Sequence, residues 1–165
     1  MVHLRRRAGS ILSCCLLLLL FSGHVAVTRA AGPERFIPNP RDQQRIQEIV
    51  DQFMGKLTMT YKVAVAVVPK NPLMVSVEFT DASTGFLLSV EEDFINELTQ
   101  EELEAAIAHE LGHVWIFTHH PFLQTEALAN DVAMRLVPKD TLQRVYEKVY
   151  ERLGTKGTVA RFVGD

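Results

Sequence analysis

The chain has 165 residues, with 17 Lys/Arg against 20 Asp/Glu and a net charge of −3 when histidine is neutral. That acidic balance, with no Arg/Lys cluster interleaved with aromatics, argues against a nucleic-acid binder. The length suits one domain with a real core, and the sequence contains no internal repeat, low-complexity linker or second domain.

Residues 1–30 read as an export signal. Arg5, Arg6 and Arg7 form a basic start, Ile11 to Phe21 an apolar run, and Thr28-Arg29-Ala30 puts small residues where a signal peptidase reads. Cleavage is expected after Ala30, leaving residues 31–165 as one domain in a secreted or periplasmic, extracytoplasmic location. The alternative is an uncleaved anchor, because Ala8 to Thr28 carries no formal charge and is long enough to span a bilayer. A membrane partner is expected only in that case. Four of the 17 basic residues lie in the leader, so its removal leaves 13 against 20 and a net charge of −7. Both cysteines, Cys14 and Cys15, leave with it, so the mature chain has neither a disulfide nor a thiolate ligand.

Asn39-Pro40 marks a helix start, an N-cap followed by proline at the first helical position. Ile46, Ile49, Val50, Phe53 and Leu57 then form one apolar stripe. Tyr61 to Val68 and Leu73 to Thr80 read as two paired strands separated by "PKNP", with Val75, Val77 and Phe79 facing the core. The turn "DASTG" leads into a third strand, Phe86 to Val90. Thr99 and Glu102 make a capping box for a helix that cannot pass Pro121 undisturbed. Thr125 opens a further helix to about Val137. After Pro138 a last one runs to Leu153, with Leu142, Val145, Tyr146, Val149 and Leu153 in stripe and Gly154 as terminator. The fold class is therefore α+β: an N-terminal helix, a three-stranded sheet, then three helices.

Of six histidines, His3 and His24 lie in the leader and the other four fall between His109 and His120. "HELGH", His109 to His113, is an H-E-x-x-H pattern. On a helix, residues four apart differ by about 40° in azimuth and about 6 Å along the axis, so two imidazoles can converge on one ion. Glu110, about 100° round from His109, is placed to act on water without ligating the metal. Zinc lowers the pKa of a bound water from about 15.7 to about 7, and a carboxylate then serves as general base while water attacks a carbonyl.

A catalytic zinc needs a third protein ligand. His119 sits six residues after His113, the spacing of the metzincin third histidine, but Ile116 stands where those proteins turn on glycine. If the helix continues, His119 faces away from His113, and His119-His120 reads as a partly exposed helix end. Glu126 is the better candidate: with twelve residues between it and His113, it opens an antiparallel returning helix. Asn130, one turn later, could hydrogen-bond a ligand, with Asp131 on a different azimuth as the alternative. His119, His120, Arg135 and Tyr146 are candidate oxyanion donors. Trp115 and Phe117 read as core or cleft wall, and Gly112 either lets another backbone or a ligand approach the helix closely or is simply a tolerated helix glycine.

"AAIAHELGHV" followed by "TEALANDVAMRLVP" resembles the gluzincin metallopeptidases. The approach "ELTQEELEAAIAHELGH" is similar to HtpX-type peptidases, which continue with E-x-x-A-D. Here Glu126 and Ala129 are followed by Asn130, and that version, with Ala133, Leu136 and Pro138, looks more like the ImmA/IrrE metallopeptidase domain. The resemblance covers about Gly85 to Pro138. It implies a small zincin-like fold, one zinc ion on His109, His113 and Glu126, Glu110 as catalytic base, and peptide or protein substrates. The activity expected is hydrolysis of peptide bonds, with an exposed strand aligning an extended peptide. The alternatives are a zincin-fold binding or regulatory module with little turnover, and a non-protein amide hydrolase.

Overall fold

The chain divides into two units, Met1–Glu34 and Arg35–Asp165. A computed structural model describes residues 36–81, 85–119 and 123–154, all in the second unit. The leader, the centre of the "DASTG" turn, His120 and Pro121 lie outside the described residues. The elements run α1 (Pro40–Lys56), β1 (Val63–Val68), β2 (Val75–Asp81), β3 (Gly85–Glu91), α2 (Glu92–Glu97), α3 (Gln100–Thr118), α4 (Glu126–Ala133) and α5 (Lys139–Leu153). The architecture is α+β, as the sequence pattern requires.

The start and stop signals act where they were expected. The Asn39 side chain accepts from Arg41 N–H with Pro40 at the first position of α1. Thr125 caps α4, and Gly154 ends α5 at φ 64°, a left-handed turn that glycine adopts without strain. The helix after Thr125 is shorter than expected. It closes at Ala133, and 3₁₀-type bonds from Arg135 to Val132 and Leu136 to Ala133 carry the chain to Pro138. The six-residue α2 was not anticipated, being too short to set up a helical period.

The expected pairing of the first two strands is overturned. The sheet order is β1-β3-β2, with β1 parallel and β2 antiparallel to β3. The reason lies in the "PKNP" segment, which crosses the end of β3 instead of folding back as a hairpin. Asn71 donates from its side chain to the Ser89 carbonyl and from its backbone to the Glu91 carboxylate, while Glu91 N–H bonds the Met74 carbonyl. Glu91, 5% exposed, also receives Lys70 and Arg152 at 3.2 Å each. The crossing leaves β2 on the edge. Val75 is buried, but Val77 is half-buried and Phe79 is 48% exposed, so this face walls a cleft more than it fills a core.

The core lies between the sheet and the helices. Leu88, Val90, Phe94, Leu103, Ile107, Leu111 and Val114 are 0–1% exposed, and burial of each stabilises the fold by about 1.5–3 kcal/mol. Alanines 105, 106 and 108 let neighbours close in around α3, which is buried on most sides and therefore rigid. α1 and β2 pack against it, as do α4 and α5.

Candidate metal centre

The rigidity of α3 begins at its first turn. Thr99 Oγ1 accepts from Glu102 N–H at 3.3 Å, and Glu102 Oε2 accepts from Thr99 N–H at 2.8 Å. Glu102 is only 4% exposed and also receives Lys148 Nζ of α5 at 2.6 Å, with Arg144 Nε at 3.7 Å. Burial opposes ionisation of Glu102, but Lys148, Thr99 and Arg144 together hold its carboxyl below the usual range. The same bond fixes α5, and with it Tyr146.

Two turns along α3, His109 and His113 point their Nε2 atoms to one place, 3.2 Å apart. Glu126 brings Oε2 to 3.2 Å from His109 Nε2 and Oε1 to 3.5 Å from His113 Nε2. Among the described residues these three form a cluster whose donor atoms all lie within 4.8 Å of one another. α4 reaches this position because Gly112 has no side chain. A Cβ there would strike the Ala129 carbonyl oxygen and stand 2.9 Å from Ala129 Cα. Close approach is the reading of Gly112 that holds, and the backbone of α4 is what approaches.

The remaining ring nitrogens are accounted for. His113 Nδ1 lies 3.2 Å from Gln124 Oε1, and the Gln124 amide donates back to the His113 carbonyl at 3.1 Å. That second bond orients the amide, so His113 Nδ1–H must be the donor. His109 Nδ1–H donates to the buried Asn130 Oδ1 at 2.7 Å. In the neutral rings both Nε2 atoms are then acceptors, facing each other and a carboxylate, an arrangement suited to a cation among them. A tetrahedral zinc with bonds of about 2.0–2.1 Å has ligand–ligand edges of about 3.3–3.4 Å. The Nε2–Nε2 separation of 3.2 Å is close to such an edge, and the Glu126 carboxylate faces both nitrogens with one oxygen each, so the donor set suits zinc.

Charge follows the same logic. Contact with His109 and then His113, against some burial, pulls the Glu126 carboxyl far below the usual carboxylate range. Burial lowers His113, but Glu126, Gln124 and Glu110 outweigh it and the net direction is up. Glu110 moves the other way: desolvation dominates and raises it, although both histidines and the Val77 backbone N–H pull down. Burial likewise raises Tyr146, keeping it a neutral phenol that donates to Asn130 Oδ1 at 3.1 Å and Glu126 Oε2 at 3.5 Å.

The other candidates stand apart. His119 caps the end of α3, stacks on Trp115 at 4.1 Å, and lies 2.7 Å through Nδ1 from the Trp115 carbonyl. Arg135 sits over the same Trp115 ring, 5.2 Å from its centroid. Asp131 is exposed, while Asn130 takes the hydrogen-bonding place beside His109. Sequence reasoning missed Gln124 and Val77. Gln124 lies in a loop without periodicity, and Val77 acts through its backbone, which no side-chain pattern reports.

The cluster opens into a cleft of about 510 Å³, walled by α3, β2 and α5. No protein-family model matches this chain, and no curated protein matches it. Among solved structures it is similar to the metallopeptidase zymogen jannalysin of Methanocaldococcus jannaschii, with 18% identity and a TM-score of 0.50 over 66% of this chain and 96% of that one. It is also similar to the metallopeptidase zymogen abylysin of Pyrococcus abyssi, with 14% identity and a TM-score of 0.48 over 68% and 99%. The first likeness supports a small zincin-like α+β fold.

Proposed function

We propose that the protein is an extracytoplasmic zinc-dependent peptidase, with His109, His113 and Glu126 holding one zinc ion and Glu110 as general base. The observation that carries this reading is the convergence of two Nε2 atoms, 3.2 Å apart, with the Glu126 carboxylate facing both and each Nδ1 engaged elsewhere. Zinc held there supplies Lewis acidity, which acidifies water and polarises a peptide carbonyl. Glu110 takes the proton from the attacking water and passes it to the leaving amine. Asn130 and Gln124 hold the two imidazoles in the tautomer that leaves Nε2 free.

The strand that aligns substrate is β2. Glu91 N–H bonds Met74 O, and in this antiparallel register 76 and 78 also face β3, so Val75, Val77 and Phe79 turn their backbone groups to the outer edge. The Val77 N–H reaching Glu110 agrees with that alternation and puts the edge beside the base. An extended peptide laid along this edge brings a carbonyl to the cluster.

The test is zinc stoichiometry together with turnover of a generic peptide library by wild type and Glu110→Gln. One zinc per chain is expected in both, with kcat in the variant lower by about 10²–10⁴-fold. If wild type binds zinc and no peptide is cleaved in a Glu110-dependent way, the peptidase reading is wrong and a binding module takes its place.

A further inference from the structure

The cleft has two chemically different ends. Along α3 it is lined by Ala106, His109, Glu110, His113, Val114 and Phe117, one helical stripe about 16 Å long. α5 is tied through Lys148 to Glu102 in the first turn of α3. Leu142, Val145 and Val149 therefore wall the cleft at the Ala106 end with aliphatic surface. The Phe117 end is aromatic. Phe79 of β2 stacks on Phe117 with centroids 5.3 Å apart and planes at 25°, and both meet the edge of Phe86, at 5.4 and 5.5 Å. Phe86 is a buried floor, 3% exposed, whereas Phe79 and Phe117 remain 48% and 43% exposed at the cleft. Two large rings partly exposed beside a candidate active site present apolar surface to whatever enters the cleft.

Resting on the peptidase reading, we infer that Phe79 and Phe117 form a subsite for an aromatic side chain of the substrate, on the N-terminal side of the scissile bond. The side follows from strand direction. Val77 meets Glu110 and Phe79 meets Phe117, so β2 and α3 run in the same sense. A peptide added antiparallel to β2, the more stable pairing, runs from the Phe117 end towards the Leu142 and Val145 end. Phe79 lies two residues beyond Val77, about 7 Å along the strand. The substrate residue opposite Phe79 therefore falls within about two positions before the cleaved bond. Cross-strand neighbours project to the same face, so its side chain meets the faces and edges of Phe79 and Phe117.

The experiment uses zinc-loaded full chain and short peptides that share a leucine after the cleaved bond and carry phenylalanine, leucine or alanine at each of the two preceding positions. At one of these positions wild type should favour phenylalanine over alanine by about tenfold in kcat/KM. In Phe117→Ala that ratio should fall to about twofold or less, and Phe117→Leu should keep the leucine peptide while losing the advantage of phenylalanine. Zinc content and melting temperature of each variant separate a lost subsite from a lost fold. Equilibrium binding of the same peptides to zinc-loaded Glu110→Gln reads the preference without turnover, so failure of the peptidase reading leaves this inference tested. Equal loss for all peptides, no aromatic preference in wild type, or a Phe117-dependent preference after the bond would each overturn it. Concentration-dependent dimerisation abolished by Phe117→Ala, without a peptide preference, would assign the two rings to a second copy instead.

Discussion

Gly112→Ala tests whether close packing of α3 on α4 builds the site. An added Cβ meets the Ala129 carbonyl oxygen, Cα at 2.9 Å and carbonyl carbon at 3.0 Å, all backbone atoms that cannot swing aside. Overpacking of this kind costs about 1–3 kcal/mol, and the better helix propensity of alanine returns up to about 1 kcal/mol. A net loss of about 1–2 kcal/mol lowers the melting temperature by about 3–10 °C in a domain of this size. Relieving the overlap moves α4 back by about 0.5–1 Å, and Glu126 stands one turn from Ala129. Zinc sites tolerate about ±0.2 Å, so affinity should fall by about tenfold or more. Gly55→Ala is the matched control, since a Cβ there has nothing within 4 Å. It should leave zinc affinity untouched and raise stability by up to about 1 kcal/mol. Differential scanning calorimetry and competitive zinc titration give both quantities. Parallel behaviour of the two variants in either assay would refute the packing argument.

The ligand assignment predicts that Glu126→Ala loses zinc by at least about 100-fold in competitive titration, while His119→Ala retains it; the reverse result would move the third ligand to His119. Asn130→Asp should tighten zinc by about 10-fold, because a carboxylate accepts the His109 Nδ1–H more strongly than an amide does and makes Nε2 a better donor. A weaker or equal affinity would count against the hydrogen bond seen here. Glu102 supplies a pH dependence. Its folded pKa lies below the ordinary 4.5, so its contribution is complete above about pH 4.5 and is lost as pH falls through the lowered value. Lys148→Met should cost about 1–3 kcal/mol near pH 7 by leaving Glu102 short of a partner, and should flatten the acid side of the melting curve against pH.

What the sequence determined by itself is local. Helix starts at Pro40, Gln100 and Glu126 and the stop at Gly154 were legible because Asn39, Thr99, Thr125 and glycine act on backbone groups within a few residues. The convergence of His109 and His113 was legible for the same reason, since their spacing and the pitch of α3 fix it. Glu126 was reachable by chain length and helix direction. Only the tertiary structure decided the rest, where partners distant in sequence compete. Which strands pair depended on Asn71 and Glu91 pinning a crossing loop over β3, and neither hydropathy nor turn propensity carries that information. The depth of the α3–α4 contact depended on Gly112 facing Ala129, and the tautomers on Gln124 and Asn130 arriving from other segments. The aromatic end of the cleft exists because β2, displaced to the edge, carries Phe79 onto Phe117. The convergence of the two histidines is therefore a property of one helix, whereas the approach of Glu126, the surroundings of the cluster and the cleft beside it are properties of the fold.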